Sequence, residues 1–249
     1  MKTNVSQQPA SHARIYGSPG ARVRLLGLAR SLWPLILVFI ALGYLVRAAL
    51  PVPALSTSVT GLLFLALAVA VAAAANYSRD RLQNHIKGAR GEESVARTLN
   101  RLPANWHVFH GVEARALAAG GGADIDHVVV GPKAIFAIET KNWSGRITAE
   151  DNTILCDGEP PDRDPLEQVR NAAASLREQL QAAGTPPPPV IPILCFCGNA
   201  RPTGLAGLAG VMICNEDQLC AIMQNHQGTP LPDACRAAAI EWLKATVET

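Results

Sequence analysis

Two carboxylates and a lysine stand at the ends of two short apolar runs. The segment DIDHVVVGPKAIFAIETK (residues 124–141) has these runs on either side of a Gly-Pro pair, which is typical of a β-hairpin. If the turn centres on positions 132 and 133, Asp126 faces Glu139, and Lys141 follows on the same face. Two adjacent carboxylates repel each other unless a proton or cation lies between them. The arrangement therefore suits a Mg²⁺ site for phosphodiester hydrolysis, in which the lysine holds or activates a water.

Three neighbours of this group have open roles. Asp124 faces Lys141 in the same register, either as an ion-pair partner or as a third metal ligand. His127 points to the opposite face by alternation, which favours a structural or supporting role. Trp143 follows the second strand and either packs on the sheet or stacks on a nucleic-acid base.

A further acid begins a predicted helix. In the helix from Glu92 to Leu102, the apolar stripe is formed by Val95, Leu99 and Leu102, and the Glu92 side chain lies along that stripe. An unpaired buried carboxylate is costly, so this position favours a metal, a lysine or a catalytic water as its partner. The alternative is a frayed, solvent-exposed helix start.

The remaining pattern predicts an α/β fold. Trp106 to Val112 has the composition of a strand and precedes the hairpin. Asp164 is a predicted helix N-cap, with Pro165 at the first helical position and the helix running to about Ala183. The apolar run from residue 190 to 197 indicates a buried strand. The order helix, three strands, helix, strand predicts an α/β sandwich with a mixed sheet.

Two uncharged apolar runs, residues 32–46 and 54–77, are candidates for membrane spans because about 20 apolar residues cross a bilayer as a helix. Basic residues precede the first run and follow the second, so the positive-inside rule places both ends in the cytoplasm. We therefore expect a multi-pass protein of the bacterial inner membrane, with its N-terminus and its C-terminal domain cytoplasmic. A cleaved signal peptide followed by a buried helix is the alternative.

Charge is divided unevenly along the chain. Residues 1–78 carry six basic and no acidic residues, and residues 79–249 carry 16 basic and 20 acidic residues, a balance of −4. Because non-specific DNA affinity comes mainly from phosphate neutralisation, this balance argues against broad, tight binding of duplex DNA. Six cysteines lie in the C-terminal part. Their spacing favours reduced structural thiols over a metal site.

Three motifs together resemble a known family. They are GARGEESV at residues 88–95, IDHVVVGP at 125–132 and IETKNWSG at 138–145. Taken in this order, they are similar to the NERD (nuclease-related) domain, which is grouped with the PD-(D/E)xK nuclease superfamily. The resemblance covers roughly residues 85–200 and implies a restriction-endonuclease-like αβββαβ core.

The resemblance also implies roles for individual residues. Asp126 and Glu139 are implied to be ligands of Mg²⁺ or Mn²⁺, and Glu92 to complete the acidic site directly or through water. Lys141 is implied to orient or activate the attacking water and to stabilise charge on the phosphate. Gln168 occupies the place of a glutamine that contacts the scissile phosphate in the family.

These observations predict five segments: a disordered basic N-terminus (1–30), a two-helix transmembrane hairpin (31–77), a connector (78–87), a NERD nuclease-like domain (88–200) and a C-terminal α/β extension packed on it (201–249). We expect a membrane-anchored, metal-dependent nuclease that hydrolyses DNA phosphodiester bonds, with DNA and the lipid bilayer as partners. A non-catalytic membrane adaptor with a nuclease-like fold and an RNA-processing nuclease are the alternatives.

Overall fold

The computed structural model describes residues 12–19, 36–46, 48–49, 57–114, 123–184 and 188–247. The strands are β1 (Arg14–Tyr16), β2 (His107–Ala114), β3 (Ala123–Val130), β4 (Ile135–Lys141), β5 (Ser144–Glu150), β6 (Thr153–Cys156), β7 (Val190–Phe196), β8 (Asn199–Pro202), β9 (Gly207–Leu208) and β10 (Val211–Asn215). The helices with complete bounds are α1 (Thr57–Leu99), α2 (Pro165–Ala182), α3 (Glu216–Gln224) and α4 (Asp233–Val247). Residues 36–46 are also helical.

The described strands form a mixed main sheet. Its seven strands have the order β1-β2-β3-β4-β7-β10-β9. The strand β3 runs antiparallel to β2 and β4, whereas β4, β7 and β10 are mutually parallel. Strands β6, β5 and β8 form a smaller second sheet. The predicted α/β class with a mixed sheet is confirmed, and the predicted order of helix, three strands, helix and strand is that of α1, β2–β4, α2 and β7.

Helices cover both faces of the main sheet. Successive side chains of a strand point to opposite faces, so Val128 and Val129 of β3 lie in different apolar cores. The core around Val128 is closed by α2 and α4, and the core around Val129 is closed by the end of α1 and by α3. The hairpin therefore lies at the centre of the sheet with a helix layer on each side.

The helix α2 begins as its sequence predicts. The Asp164 side chain accepts a hydrogen bond from the backbone N–H of Leu166 at 2.8 Å, and Pro165 occupies the first turn. Its buried row includes Val169, Ala172 and Leu176, which face the sheet. This cap fixes where the helix starts and therefore which side chain of its first turn reaches the hairpin.

The predicted disorder of residues 1–30 differs from the structure at residues 12–19. Strand β1 pairs in parallel with β2, and the Tyr16 ring stacks on Phe109 with their centroids 4.7 Å apart. Gly17 (φ 79°) passes so close to the His110 carbonyl that a Cβ would lie 2.6 Å from that oxygen. Three residues carry too little periodicity to be predicted as a strand, and tertiary partners hold them in place. The rest of the predicted segment lies outside the described residues.

The described chain divides into two compact units, residues 1–20 with 90–249, and residues 21–89. Within the described residues, no helix is long and apolar enough to span a membrane. The prediction of a transmembrane hairpin and a multi-pass inner-membrane protein is therefore wrong. The described part of the second apolar run, residues 57–77, is not a separate element, because it lies in α1, which continues without a break to Leu99. Positions 31–35, 47 and 50–56 of the predicted hairpin lie outside the described residues.

Candidate active site

The β3–β4 hairpin has the register that its sequence predicts. Val128 lies opposite Ala137 in the ladder, and the Gly131 N–H donates to the Ala134 carbonyl at 3.0 Å. The turn packs against the Trp106 indole so closely that a Cβ on Gly131 would lie 2.6 Å from the ring. A glycine is therefore required here, and the fixed turn sets the position of every later pair along the hairpin.

Asp126 lies where β3 loses its partners on both sides. The β3–β4 ladder ends at His127 opposite Ile138, so continued register would bring Asp126 opposite Glu139. On the other side, the β2–β3 ladder skips Asp126, whose position faces Gly111 with φ 65°. In place of strand pairing, the Asp126 Oδ2 accepts a hydrogen bond from the Thr140 backbone N–H at 2.7 Å. The carboxylate is thus fixed to the strand that carries Glu139 and Lys141.

Glu139, Lys141 and Gln168 form a closed hydrogen-bonded triangle. Lys141 Nζ lies 2.7 Å from Glu139 Oε1 and donates to Gln168 Oε1 at 3.0 Å. Gln168 Nε2 donates to the same Glu139 oxygen at 2.7 Å. The Glu139 side chain is 5% exposed and the Lys141 side chain 20%. Gln168, one turn into α2, is thus hydrogen-bonded to both of the other side chains, and the phosphate contact implied by the resemblance stays a prediction.

The two carboxylates differ in their electrostatic support. Burial, followed by the negative charges of Glu139 and Glu92, raises the pKa of Asp126 well above its usual range, although the Thr140 N–H and Lys141 oppose this. Burial also raises the pKa of Glu139, but the adjacent Lys141 charge and two side-chain hydrogen bonds oppose that rise. Glu139 therefore has a positive charge in direct contact, whereas the hydrogen-bond partner of Asp126 is a neutral backbone N–H.

Glu92 approaches this group from the other helix layer. Its negative charge acts on Asp126, so the helix end and the hairpin share one electrostatic site. Gly91 permits the approach, because a Cβ there would lie 2.7 Å from Asn142 Cβ and 2.9 Å from Cys197 Sγ. By contrast, a Cβ on Gly88 would meet nothing within 4 Å. Of the two motif glycines, Gly91 is the one that the packing demands.

The donor set matches a hard divalent cation. Carboxylate oxygens are preferred by Mg²⁺ and Mn²⁺, and Mg²⁺ usually binds one or two protein carboxylates together with water and substrate phosphate. Asp126 is fixed to the strand that carries the buried Glu139, and ionising both carboxylates there requires compensating charge such as that of a divalent cation. Within the described residues, no group of three or more His, Cys, Asp or Glu side chains is close enough to hold a metal ion. The residues thus fit a cation held by the Asp126–Glu139 pair and completed by other ligands.

Some predicted partners lie apart from this group. Asp124 is exposed and lies opposite Glu113 in the β2–β3 ladder, beyond the end of the β3–β4 ladder. Exposed arginines occur on both α1 and α2, whose apolar faces pack on opposite sides of the sheet.

His127 is fully buried and its Nδ1 lies 2.7 Å from the Nδ1 of His110. Burial lowers the pKa of both rings, to about 4 for His110, so at neutral pH the pair is uncharged and one Nδ1 donates to the other. Its position is consistent with the structural role favoured by alternation.

Sequence reasoning missed three participants in the geometry: the Thr140 N–H that holds Asp126, the unpaired Gly111 opposite it, and Asn142, which touches the Gly91 position. The role of the Thr140 backbone N–H as a donor cannot be recognised from the residue types in the sequence. Gly111 was a visible signal, because a glycine inside a strand often marks an interruption of pairing.

Comparison with known proteins identifies one domain family in this part of the chain. The nuclease-related domain (NERD) matches residues 87–197, and this range contains all five predicted site residues. A protein of Bacillus anthracis described as uncharacterized is 39% identical over 62 residues, which cover 24% of this chain and 29% of that protein. The match thus spans less than a third of that relative. No solved structure matches the chain. The chain therefore carries a nuclease-related domain, and the site lies inside it.

Proposed function

We propose that this protein is a metal-dependent nuclease that hydrolyses phosphodiester bonds in DNA. The observation that carries the proposal is the part-buried ion pair of Glu139 with Lys141 beside Asp126, inside a nuclease-related domain. Hydrolysis of a phosphodiester needs a positioned water, neutralisation of the phosphate charge and groups that stay in place during the reaction. This pairing supplies fixed groups for each of these tasks.

Asp126 and Glu139 would hold the divalent cation, with Glu92 acting on the site through its charge. When bound, the cation would polarise a phosphate oxygen and lower the pKa of a bound water. Lys141 has three N–H donors, two of which are directed at Glu139 and Gln168. The third is available to the attacking water or to a phosphate oxygen, where its positive charge stabilises the charge that develops during hydrolysis.

Gln168 keeps this arrangement rigid. Because its amide donates to Glu139 and accepts from Lys141, it fixes both side chains relative to α2. The Asp126–Thr140 hydrogen bond does the same for the other carboxylate. Pre-organised groups of this kind do not have to reorient during the reaction, which is the main source of electrostatic catalysis.

The distribution of charge along the chain bears on which form of DNA it would bind. Residues 79–249 carry a balance of −4, and exposed arginines occur on both α1 and α2, whose apolar faces pack on opposite sides of the sheet. Weak or structure-selective binding, to ends, branches or single strands, fits this distribution better than tight binding along a duplex.

The test uses the full chain, because β1 belongs to the main sheet. Wild type, Lys141→Ala and Lys244→Ala are incubated with supercoiled plasmid, linear duplex, single-stranded DNA or RNA, in Mg²⁺, Mn²⁺ or EDTA. Lys244 is the matched control, because its Nζ also lies 2.7 Å from a glutamate oxygen, that of Glu241, on the exposed surface of α4. We expect metal-dependent cleavage of DNA by wild type and Lys244→Ala, and its loss in Lys141→Ala.

Cleavage of RNA alone would replace the proposed substrate by RNA. Absence of cleavage on every substrate by a folded chain that also fails to bind metal would refute the nuclease proposal and favour a non-catalytic binding role for the domain. Equal cleavage by wild type and Lys141→Ala would place the chemistry elsewhere.

A further inference from the structure

Asn142 fills a slot between two glycines. A Cβ on Gly91 of α1 would lie 2.7 Å from Asn142 Cβ, and a Cβ on Gly198 would lie 2.5 Å from Asn142 Oδ1. Both distances are far shorter than ordinary van der Waals contact, so neither position accepts a side chain while Asn142 stays in place. Gly198 also has φ 70°, in the turn that follows β7.

The slot adjoins the residue that carries the site's positive charge. The carbonyl of Lys141 accepts a hydrogen bond from the Cys197 backbone N–H at 3.1 Å, and Cys197 Sγ lies 3.7 Å from the same oxygen. This contact continues the parallel pairing of β4 with β7, in which Lys141 lies opposite Phe196. Three segments therefore meet at Asn142: the helix end that presents Glu92, the strand end that presents Lys141, and the turn after β7.

We propose that Asn142 is a positioning residue that sets the distance between the Glu92 helix and the Lys141 strand. The inference rests on the proposed nuclease function and adds to it a residue that touches neither metal nor phosphate. Its side chain is the spacer against which both glycines pack. Without that spacer, the helix end and the strand end lose a shared contact, and the carboxylates and lysine shift relative to one another.

The experiment uses the full chain and compares two pairs of glycines. The members of each pair have similar backbone conformations but different surroundings. Gly91→Ala is matched by Gly88→Ala in the same helix, where the new Cβ meets nothing within 4 Å. Gly198→Ala is matched by Gly204→Ala, which has the same φ of 70° and also meets nothing within 4 Å. We expect kcat for DNA cleavage to fall by about 10- to 100-fold in the first member of each pair, with KM little changed, because misplacement by about 1 Å has effects of that size. The control variants retain wild-type kcat.

The variant Asn142→Ala forms a double-mutant cycle with Gly198→Ala. It should lower kcat by a similar factor, and the double variant Asn142→Ala/Gly198→Ala should be no worse than Asn142→Ala alone, because alanine removes the oxygen that the new Cβ meets. If the two positions acted independently, the two losses would multiply. Multiplied losses, or a wild-type kcat in Asn142→Ala, would overturn the inference.

A second measurement does not depend on catalysis. Acylation of lysines followed by mass spectrometry reports how tightly Lys141 is held in its ion pair. We expect faster labelling of Lys141 in Asn142→Ala and unchanged labelling of Lys244. If wild type cleaves nothing, the nuclease proposal fails, and this measurement still decides whether Asn142 positions Lys141; an unchanged labelling rate of Lys141 then refutes the inference.

Discussion

Replacement of Asp126 by asparagine should stabilise the metal-free protein while abolishing its activity. The carboxylate is held near Glu139 and Glu92, whose negative charges add to the effect of burial in raising its pKa. Asparagine keeps the size of the side chain and an oxygen that can accept the Thr140 N–H. The substitution therefore removes the electrostatic cost and retains the hydrogen bond.

The size and pH dependence of this effect follow from the pKa. A carboxyl group whose pKa is higher in the folded than in the unfolded state, where Asp titrates near 3.9, stabilises the fold at low pH. That contribution is fully present below the unfolded pKa and is lost as pH rises through the folded pKa, at up to about 1.4 kcal/mol per pH unit for one group. We expect Asp126→Asn to exceed wild type by about 1–2 kcal/mol at neutral pH, a typical gain from relieving strain at a functional site. For a chain of this size, each kcal/mol shifts Tm by about 2–4 °C.

The assay is thermal unfolding by circular dichroism in EDTA between pH 4 and pH 8. Asp157→Asn is the matched control, because its carboxylate also accepts a backbone N–H at 2.7 Å, from Arg146, but on the exposed surface. The Tm advantage of Asp126→Asn should grow as pH rises from 4, and the control should show none. In Mg²⁺, Tm of wild type should rise and that of Asp126→Asn should not. A variant less stable than wild type at pH 8, or an offset independent of pH, would refute the electrostatic reasoning.

Three further changes test other parts of the structure. Gln168→Leu should lower kcat by about tenfold or more with little change in KM, because it removes the hydrogen bonds that hold Glu139 and Lys141. An unchanged kcat in steady-state assays would show that the amide is dispensable. Gly17→Val should destabilise the fold, because the new side chain would collide with the His110 carbonyl. Gly204 has a comparable φ in open space, so Gly204→Val measures the cost of the backbone conformation alone in parallel denaturant melts. Glu216→Ala should lower the free energy of unfolding by about 1–3 kcal/mol in urea titrations, because the hydroxyls of Ser94 and Thr98 in α1 lose their acceptor. No change in the urea midpoint would mean that water replaces the carboxylate as acceptor.

The features that sequence reasoning predicted correctly are local. The hairpin register follows from alternation on both sides of a Gly-Pro turn, and the start of α2 follows from Asp164 and Pro165. In both cases the residues that determine the geometry are neighbours along the chain, so their types and spacing are sufficient. The prediction that Asp126 and Glu139 share one face depends only on this register.

The features that were missed depend on contacts between distant segments. Strand β1 is held by pairing and stacking with β2, more than 90 positions later in the chain. Asn142 lies between two glycines that belong to different elements, and the spacing of these residues along the sequence does not indicate that they are in contact. The membrane prediction failed for a related reason, because an apolar run was assigned from composition alone although it continues into the long helix α1.

The two carboxylates differ in the positive charge that already lies next to them. Glu139 has Lys141 in direct contact, so part of its charge is already balanced. Asp126 is hydrogen-bonded to a neutral backbone N–H, and Lys141 acts on it only through its charge. The negative charges of Glu139 and Glu92 oppose its ionisation. A bound cation would supply to Asp126 the kind of compensating positive charge that Lys141 already supplies to Glu139. It follows that loss of Asp126 should weaken metal binding more than loss of Lys141, even though either change should abolish cleavage. Calorimetric titration of Mn²⁺ into Asp126→Asn and Lys141→Ala measures this order directly, and tighter binding by Asp126→Asn would contradict it.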